Sequence, residues 1–230
     1  MNKIHGNILL TTACFCFSAL STAAPITLSA TDDNYVYTGD KDTNYNSENS
    51  QILVKNATSN DRIGFVKFDL SAVIGSIDLS QGATLNLTFS QMGNGGSGDT
   101  ATFTFAALET VGANNEDWDE TTVTYNSRPT GTFTDLGTDY NWSYNASNAP
   151  HAVTITDLTD YVHADNTVTF RIFGPQLPDT GNNPYWHSSE ATTAAYRPSL
   201  TVIPEASTLG LMAIGMIAVI GLSRRRKVAA

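Results

Sequence analysis

The sequence predicts an all-β domain, a jelly-roll-like β-sandwich. Three observations predict it. Runs of β-branched and aromatic residues alternate with polar ones at a period of two. Clusters of Gly, Asn and Asp separate those runs. Helical periodicity is nearly absent, and many short strands with almost no helix fit a sandwich better than any other layer arrangement.

The chain opens with a segment that does not belong to that domain. Residues 1–23 read as a signal peptide, with Lys3 as the positive n-region, Ile8 to Leu20 as the apolar h-region and Ser21-Thr22-Ala23 as small residues at the cleavage site. The two cysteines, Cys14 and Cys16, both lie inside it. The exported form is therefore expected to have no disulfide, no thiolate metal site and no cysteine nucleophile.

Residues 24–203 form the expected domain, long enough to close one core. They carry 21 Asp and Glu against 7 Lys and Arg, hence a net charge of −14. A surface of that sign repels phosphate backbones, so nucleic acid is not an expected partner. Aromatic residues are 10% of the chain, which argues against acidic disorder.

Within the domain the strands are predicted in order. Arg62 to Leu70 is strand-like. Ala83 to Phe89 and Thr102 to Ala106 alternate with period two, and Val153 to Ile155, Val168 to Phe173 and Ser199 to Val202 complete the set. Gln91 to Thr100, with Gly93, Gly95, Gly96 and Gly98, reads as a flexible connection. A single short helix is predicted over Asp157 to His163 with Thr156 as N-cap.

Past residue 203 the composition changes again. Pro204-Glu205-Ala206 precedes Ser207-Thr208, an uncharged run from Leu209 to Leu222, Ser223, and then Arg224-Arg225-Arg226-Lys227. As a helix the 14 residues of the run would be about 21 Å long, short of a hydrocarbon core of about 30 Å, and Ser207, Thr208 and Ser223 extend it to a span over 207–223. The cationic cluster over 224–227 keeps that end in the cytoplasm and leaves residues before Pro204 outside. In this order the tripeptide, short span and terminal arginines resemble the PEP-CTERM sorting signal of Gram-negative bacteria, with Ala206 where the signal usually repeats Pro. The resemblance implies an exosortase as partner. It also implies transient anchoring in the inner membrane, then processing and delivery to the cell surface or extracellular matrix alongside polysaccharide. Pro204, Glu205, Ala206, Arg224, Arg225 and Arg226 are the residues that carry it.

Several phrases of the central domain also line up. Asp42-Thr43-Asn44-Tyr45, Phe65-Val66-Lys67-Phe68-Asp69-Leu70 and Trp118-Asp119-Glu120-Thr121-Thr122-Val123-Thr124-Tyr125-Asn126 are followed by Ser188-Ser189-Glu190-Ala191 and Arg197-Pro198-Ser199-Leu200. Together they resemble the DNRLRE-type β-sandwich family, part of which is classed as a carbohydrate-binding module with alginate-binding members. That resemblance implies a non-catalytic, glycan-binding sandwich. From the residues alone, Trp118 is expected to plug the sandwich edge, Glu120 to accept hydrogen bonds from neighbouring backbone, and Arg197 to pair with Glu190 or Asp69. Thr122 and Thr124 are expected on one strand face, opposite Val123 and Tyr125.

Chemistry-bearing groups are few. No enzyme is predicted: Gly95-Gly96-Ser97-Gly98 lacks the closing Gly of a nucleophile elbow, and Asp117, Asp119 and Glu120 define no carboxylate pair at a set distance. His151, His163 and His187 share no zinc spacing. Asp40-Lys41-Asp42-Thr43-Asn44 starts like an EF-hand loop but has Tyr45 and Gln51 where Gly and Glu are required. The expectation is no cofactor, with a structural calcium cage at Asp32, Asp33, Asp40 or Asp42 as the candidate metal site, set against a solvated acidic loop. For sugar, Tyr140, Trp142 and Tyr144 would share one face of a strand, and Trp186 with His187 makes a second patch. Core packing is the competing role for these rings. Lys55, Arg62, Lys67, Arg171 and Arg197 are the cations available to an acidic glycan, with Arg62 and Lys67 on opposite strand faces. Two functions follow: a sorted, exported polysaccharide-binding protein, or a structural matrix or interaction protein with no specific glycan site. Exposure of Tyr140, Trp142 and Trp186 is the feature that separates them.

Overall fold

A computed structural model describes residues 24–46, 50–57, 60–93, 100–112, 115–137, 139–143, 146–175, 177 and 183–205. The expected signal peptide, the span over 207–223 and the basic tail lie outside them. Among the described residues no helix is long and apolar enough to cross a membrane.

The strands are β1 (Ile26–Ser29), β2 (Asp32–Tyr37), β3 (Gln51–Leu53), β4 (Arg62–Asp69), β5 (Ala83–Gly93), β6 (Thr100–Leu108), β7 (Phe133–Asp135), β8 (Tyr140–Ser143), β9 (Ala149–Ile155), β10 (Thr167–Phe173), β11 (Asn183–His187) and β12 (Ser199–Val202). They form two six-stranded sheets. The first runs β1-β12-β5-β11-β3, with β9 on the free edge of β5, and the second runs β2-β4-β10-β6-β7, with β8 also paired to β6. All pairs are antiparallel. The all-β sandwich is therefore as the residue patterns predict.

Alternation explains which side chains close the sandwich. In β5, Ala83, Leu85, Leu87 and Phe89 point into the core; in β4, Val66 and Phe68 do; in β10, Val168, Phe170 and Ile172 do. Each fully buried Val, Leu, Ile or Phe side chain of this set contributes roughly 1.5–3 kcal/mol. Gly82 joins the short 3-10 turn Leu79–Gln81 to β5 at φ 72°, where a Cβ would stand 1.9 Å from the Ile155 carbonyl oxygen, so no other residue fits that corner.

A second, smaller core lies on the outer face of the second sheet. Val36 and Phe65 leave the main core by strand alternation and are covered by Trp118 and Val123, with Ile63, Tyr125 and Phe133 around them. The covering residues belong to the long excursion between β6 and β7. Trp118 thus roofs a sheet face and does not plug an edge.

Two local expectations are corrected. Residues 157–163 make turns in place of a helix. Asp157 Oδ1 accepts from Thr159 N at 2.8 Å, a local bond that competes with helical pairing, while Leu158 is drawn fully into the core. Residues 120–127 are turns, not strand: Val123 N donates to Asp119 O at 2.9 Å and Ser127 N to Thr124 O at 3.3 Å.

Candidate functional site

The alternation that fills the core decides the fate of the aromatic candidates. Trp186 sits on β11 opposite Phe89 of β5 and Ile52 of β3, both core residues, so its ring points inward. It is 0% exposed and meets the rings of Phe89, Phe103, Phe105 and Tyr140 edge-on at 5.2–5.4 Å. Trp142 is 3% exposed and donates from Nε1 to the Ala146 carbonyl at 3.1 Å. Tyr140 is half-buried, packed on Phe89, Phe103 and Trp186, and burial pushes its phenol pKa up. The expectation that Trp142 and Trp186 offer stacking faces to sugar is therefore corrected: both are core residues, because β8 and β11 turn their even positions inward. Tyr144 lies outside the described residues.

The neighbours of Trp186 are less buried. His187 faces outward and is half-buried, and half-buried Tyr185 packs against the main core. The His187 ring stacks on Tyr196 at 4.8 Å and 24°, and its Nε2–H donates to Asn148 Oδ1 at 2.8 Å. Partial burial holds the His187 pKa below its usual value. Register extends this into a face. Thr84 pairs with Thr201 and Thr154, Asn86 with Ser199 and Ala152, and Thr201 with Thr27. Residues paired across strands share a side, so these all project from the outer surface of the first sheet. Thr27 and Thr201 hydroxyls lie 3.2 Å apart, Asn86 Nδ2 donates to Thr201 Oγ1 at 3.3 Å, and Gln51 Nε2 donates to Ser90 Oγ at 2.8 Å. None of these outward residues is charged, although the domain carries −14.

The cations of the domain are committed elsewhere, Lys41 and Arg128 to the Tyr125 ring at 5.6 and 3.7 Å. Lys55 is 1% exposed. Arg62 lies over the Tyr37 ring at 4.3 Å. Lys67 pairs with Asp32 at 3.2 Å and donates to the Trp118 carbonyl. Arg171 covers the Phe133 ring at 4.3 Å. Arg197 donates from Nε to the Ala191 carbonyl at 2.8 Å, and its expected pairing with Glu190 or Asp69 is not found among the described residues. Lys67 and Arg171 do share one face, since Thr169 pairs with Lys67 and Arg171 with Phe65, but Trp118 and Phe133 roof them.

The acidic candidates divide. Asp40 and Asp42 are exposed and serve turns: Thr43 Oγ1 donates to Asp40 Oδ2 at 2.8 Å, and Asn126 Nδ2 to Asp42 Oδ1 at 2.7 Å. Asp32 takes the Lys67 ion pair. Asp33 alone joins a carboxylate cluster, with Glu120 and Glu190, whose ligand oxygens lie within 4.8 Å of one another. Of the candidates Asp32, Asp33, Asp40 and Asp42 only Asp33 joins the cluster; Asp32, Asp40 and Asp42 are held by Lys67, Thr43 and Asn126 outside it. Asp33 is 2% exposed, and burial pushes its carboxyl up to about 7, with the charges of Glu190 and Glu120 adding to the shift against the bond from Ser189 N. Burial likewise raises Glu120. Glu120 Oε2 accepts from Asp33 N at 3.1 Å, the backbone role expected of it.

A cleft of about 320 Å³ opens beside Trp118 and is lined by Asn115, Asp117, Asp119, Thr122, Val123 and Ser127. Asp119 is tied to its own turn by Thr121 N at 2.7 Å and Thr121 Oγ1 at 2.5 Å, bonds that lower its pKa. Pro204 pairs with Ile77 and Glu205 N donates to Ser76 O at 2.9 Å, so the first two residues of the sorting tripeptide lie against the sandwich. Ala206, Arg224, Arg225 and Arg226 lie outside the described residues.

These features define a class: an antiparallel sandwich with an uncharged, hydroxyl- and amide-rich sheet face, the build of a binding module. The comparison with family models agrees with it. Residues 24–203 match carbohydrate-binding module family 96, and the chain belongs to that family. Residues 202–227 match the PEP-CTERM protein-sorting motif. A search of curated proteins finds no match to the chain. The chain is thus an exported, sorted protein with a carbohydrate-binding module, a non-catalytic kind of domain.

Proposed function

We propose that this protein binds a neutral polysaccharide on the outer face of the β1-β12-β5-β11-β3 sheet, and that exosortase-dependent processing delivers it to the cell surface or extracellular matrix. The observation that carries the binding site is the uncharged outer face itself. Hydroxyls and amides on a pleated surface match sugar hydroxyls, and the stacked His187–Tyr196 pair offers an apolar ring face beside them. The five cations an acidic glycan would need are spent on internal partners, and the net charge of −14 repels a polyuronate. Burial of Trp142 and Trp186 by itself favours the structural matrix role; the match to a carbohydrate-binding module supports binding, with the pair Tyr196 and His187 in place of the buried tryptophans as the anchor.

The test titrates the full chain in detergent with a soluble neutral β-glucan, a mannan and alginate. Binding to a neutral polymer and not to alginate is expected. Tyr196→Ala should weaken it at least tenfold, in the range of about 2 kcal/mol for a true anchor. If no polymer binds, the structural matrix role takes over; if Tyr196→Ala binds normally, the face is wrong. The tail is tested separately. In cells with an exosortase, the released protein should lack the segment after about residue 206 by intact mass, and retention of Arg224 to Lys227 would refute processing.

A further inference from the structure

We propose that Asp33, Glu120 and Glu190 form a calcium site that clasps three separate segments of the sandwich. Asp33 comes from β2, Glu120 from the excursion that carries Trp118, and Glu190 from the turn after β11. Their oxygens lie within 4.8 Å of one another. Ligands on opposite sides of one calcium ion stand roughly 5 Å apart, at Ca–O distances of about 2.3–2.6 Å, so the cluster has the size of a single ion's shell.

Proximity of acids alone would mean little. The second observation is an orphaned oxygen: Asp33 is 2% exposed, and its Oδ1 has no hydrogen-bond partner among the described residues. A buried carboxylate oxygen without a donor is costly, and two further carboxylates beside it increase the cost. A cation removes both penalties. Lys67 does not do so, because it is paired to Asp32.

The surroundings hold each carboxylate in place by its other atoms. Ser189 N donates to Asp33 Oδ2 at 2.6 Å, Asp33 N to Glu120 Oε2 at 3.1 Å, and Ser189 Oγ to Glu190 Oε1 at 2.6 Å. The segments are fixed in turn: Asn34 Nδ2 and Asn44 Nδ2 both donate to the Glu120 carbonyl, at 2.9 and 2.8 Å, and Arg197 Nε holds the Ala191 carbonyl. Such outer contacts orient metal ligands. Burial falls from Asp33 through half-buried Glu120 to exposed Glu190, which leaves a solvent side for entry and for water ligands. An all-oxygen donor set without His or Cys selects a hard cation, and ligands gathered from a strand and two turns far apart in the chain suit the irregular shell of calcium better than the strict octahedron of magnesium.

Equilibrium dialysis of the EGTA-stripped full chain in detergent, with calcium chloride and no glycan, tests this separately from the sugar site. One calcium per chain is expected, with a Kd of about 10⁻³ M or tighter and much weaker uptake of magnesium. Saturating calcium should raise Tm by roughly 5 °C. Glu190→Gln, at an exposed position, should weaken binding at least tenfold while melting like the stripped wild type. Asp33→Asn should abolish binding and melt no lower than the stripped wild type, since the uncompensated buried carboxylate is gone. Asp40→Asn should bind normally. No bound calcium at millimolar concentration overturns the proposal, and so does binding that survives Glu190→Gln or is lost in Asp40→Asn.

Discussion

Trp186→Ala is expected to cost about 3–5 kcal/mol, a large part of the stability of an ordinary domain. The indole is fully buried at the junction of both sheets, ringed by Phe89, Phe103, Phe105 and Tyr140. Truncation leaves a hole that four aromatic rings, held on the three strands β5, β6 and β8, cannot collapse to fill. Trp186→Phe should cost much less. Its Nε1 is buried without a hydrogen-bond partner among the described residues, so the smaller ring loses packing but strands no polar group. Urea titration of both variants gives the ordering. A Trp186→Ala chain as stable as wild type would mean that the ring is not in the core, and would restore it as a sugar platform.

The tryptophan shows how far sequence reaches. Strands such as Arg62–Asp69 and Thr167–Phe173 are legible because alternation and β-branched content agree there. Alternation also puts Tyr185 and His187 on one side of β11 and Trp186 on the other. It does not say which side is the core; that depends on Phe89 and Ile52, far away in the chain. The second core is hidden for the same reason. Phe65 reads as half of an alternating strand, and only the fold brings Trp118 over it. The carboxylate cluster is the extreme case. Its members are 87 and 156 residues or so apart, as the bonds Asp33 to Glu120 and Ser189 to Asp33 record, so no ligand spacing announces it. The one local signal is that Trp118-Asp119-Glu120 and Ser188-Ser189-Glu190-Ala191 each carry a Glu within a turn-rich phrase. The partners of the cations are not legible either, because a sequence shows a charge but not the carbonyl or ring that occupies it.

Trp118→Ala is expected to produce the second large effect, about 3–5 kcal/mol, and to produce it locally. Trp118 does three things at once. Its ring packs on Phe65 at 6.1 Å, its Nε1–H donates to Thr169 Oγ1 at 3.0 Å, and its carbonyl accepts from Lys67. Thr169 is 0% exposed, so losing the donor strands a buried hydroxyl as well as opening a cavity. Trp118→Phe separates the two contributions: it keeps most of the ring contact and forfeits the bond, at about 1–2 kcal/mol. The main core lies on the opposite face of the same sheet and does not include Trp118. Hydrogen exchange should therefore quicken across residues 115–127 in Trp118→Ala while β5 and β10 stay protected. Glu120 is two residues from the lost anchor, so the Asp33–Glu120 bond should loosen with the excursion and calcium uptake should fall with it. Uniform loss of protection across both sheets would show instead that the outer cluster is part of one cooperative core, and unchanged stability would show that Trp118 does not hold the excursion down.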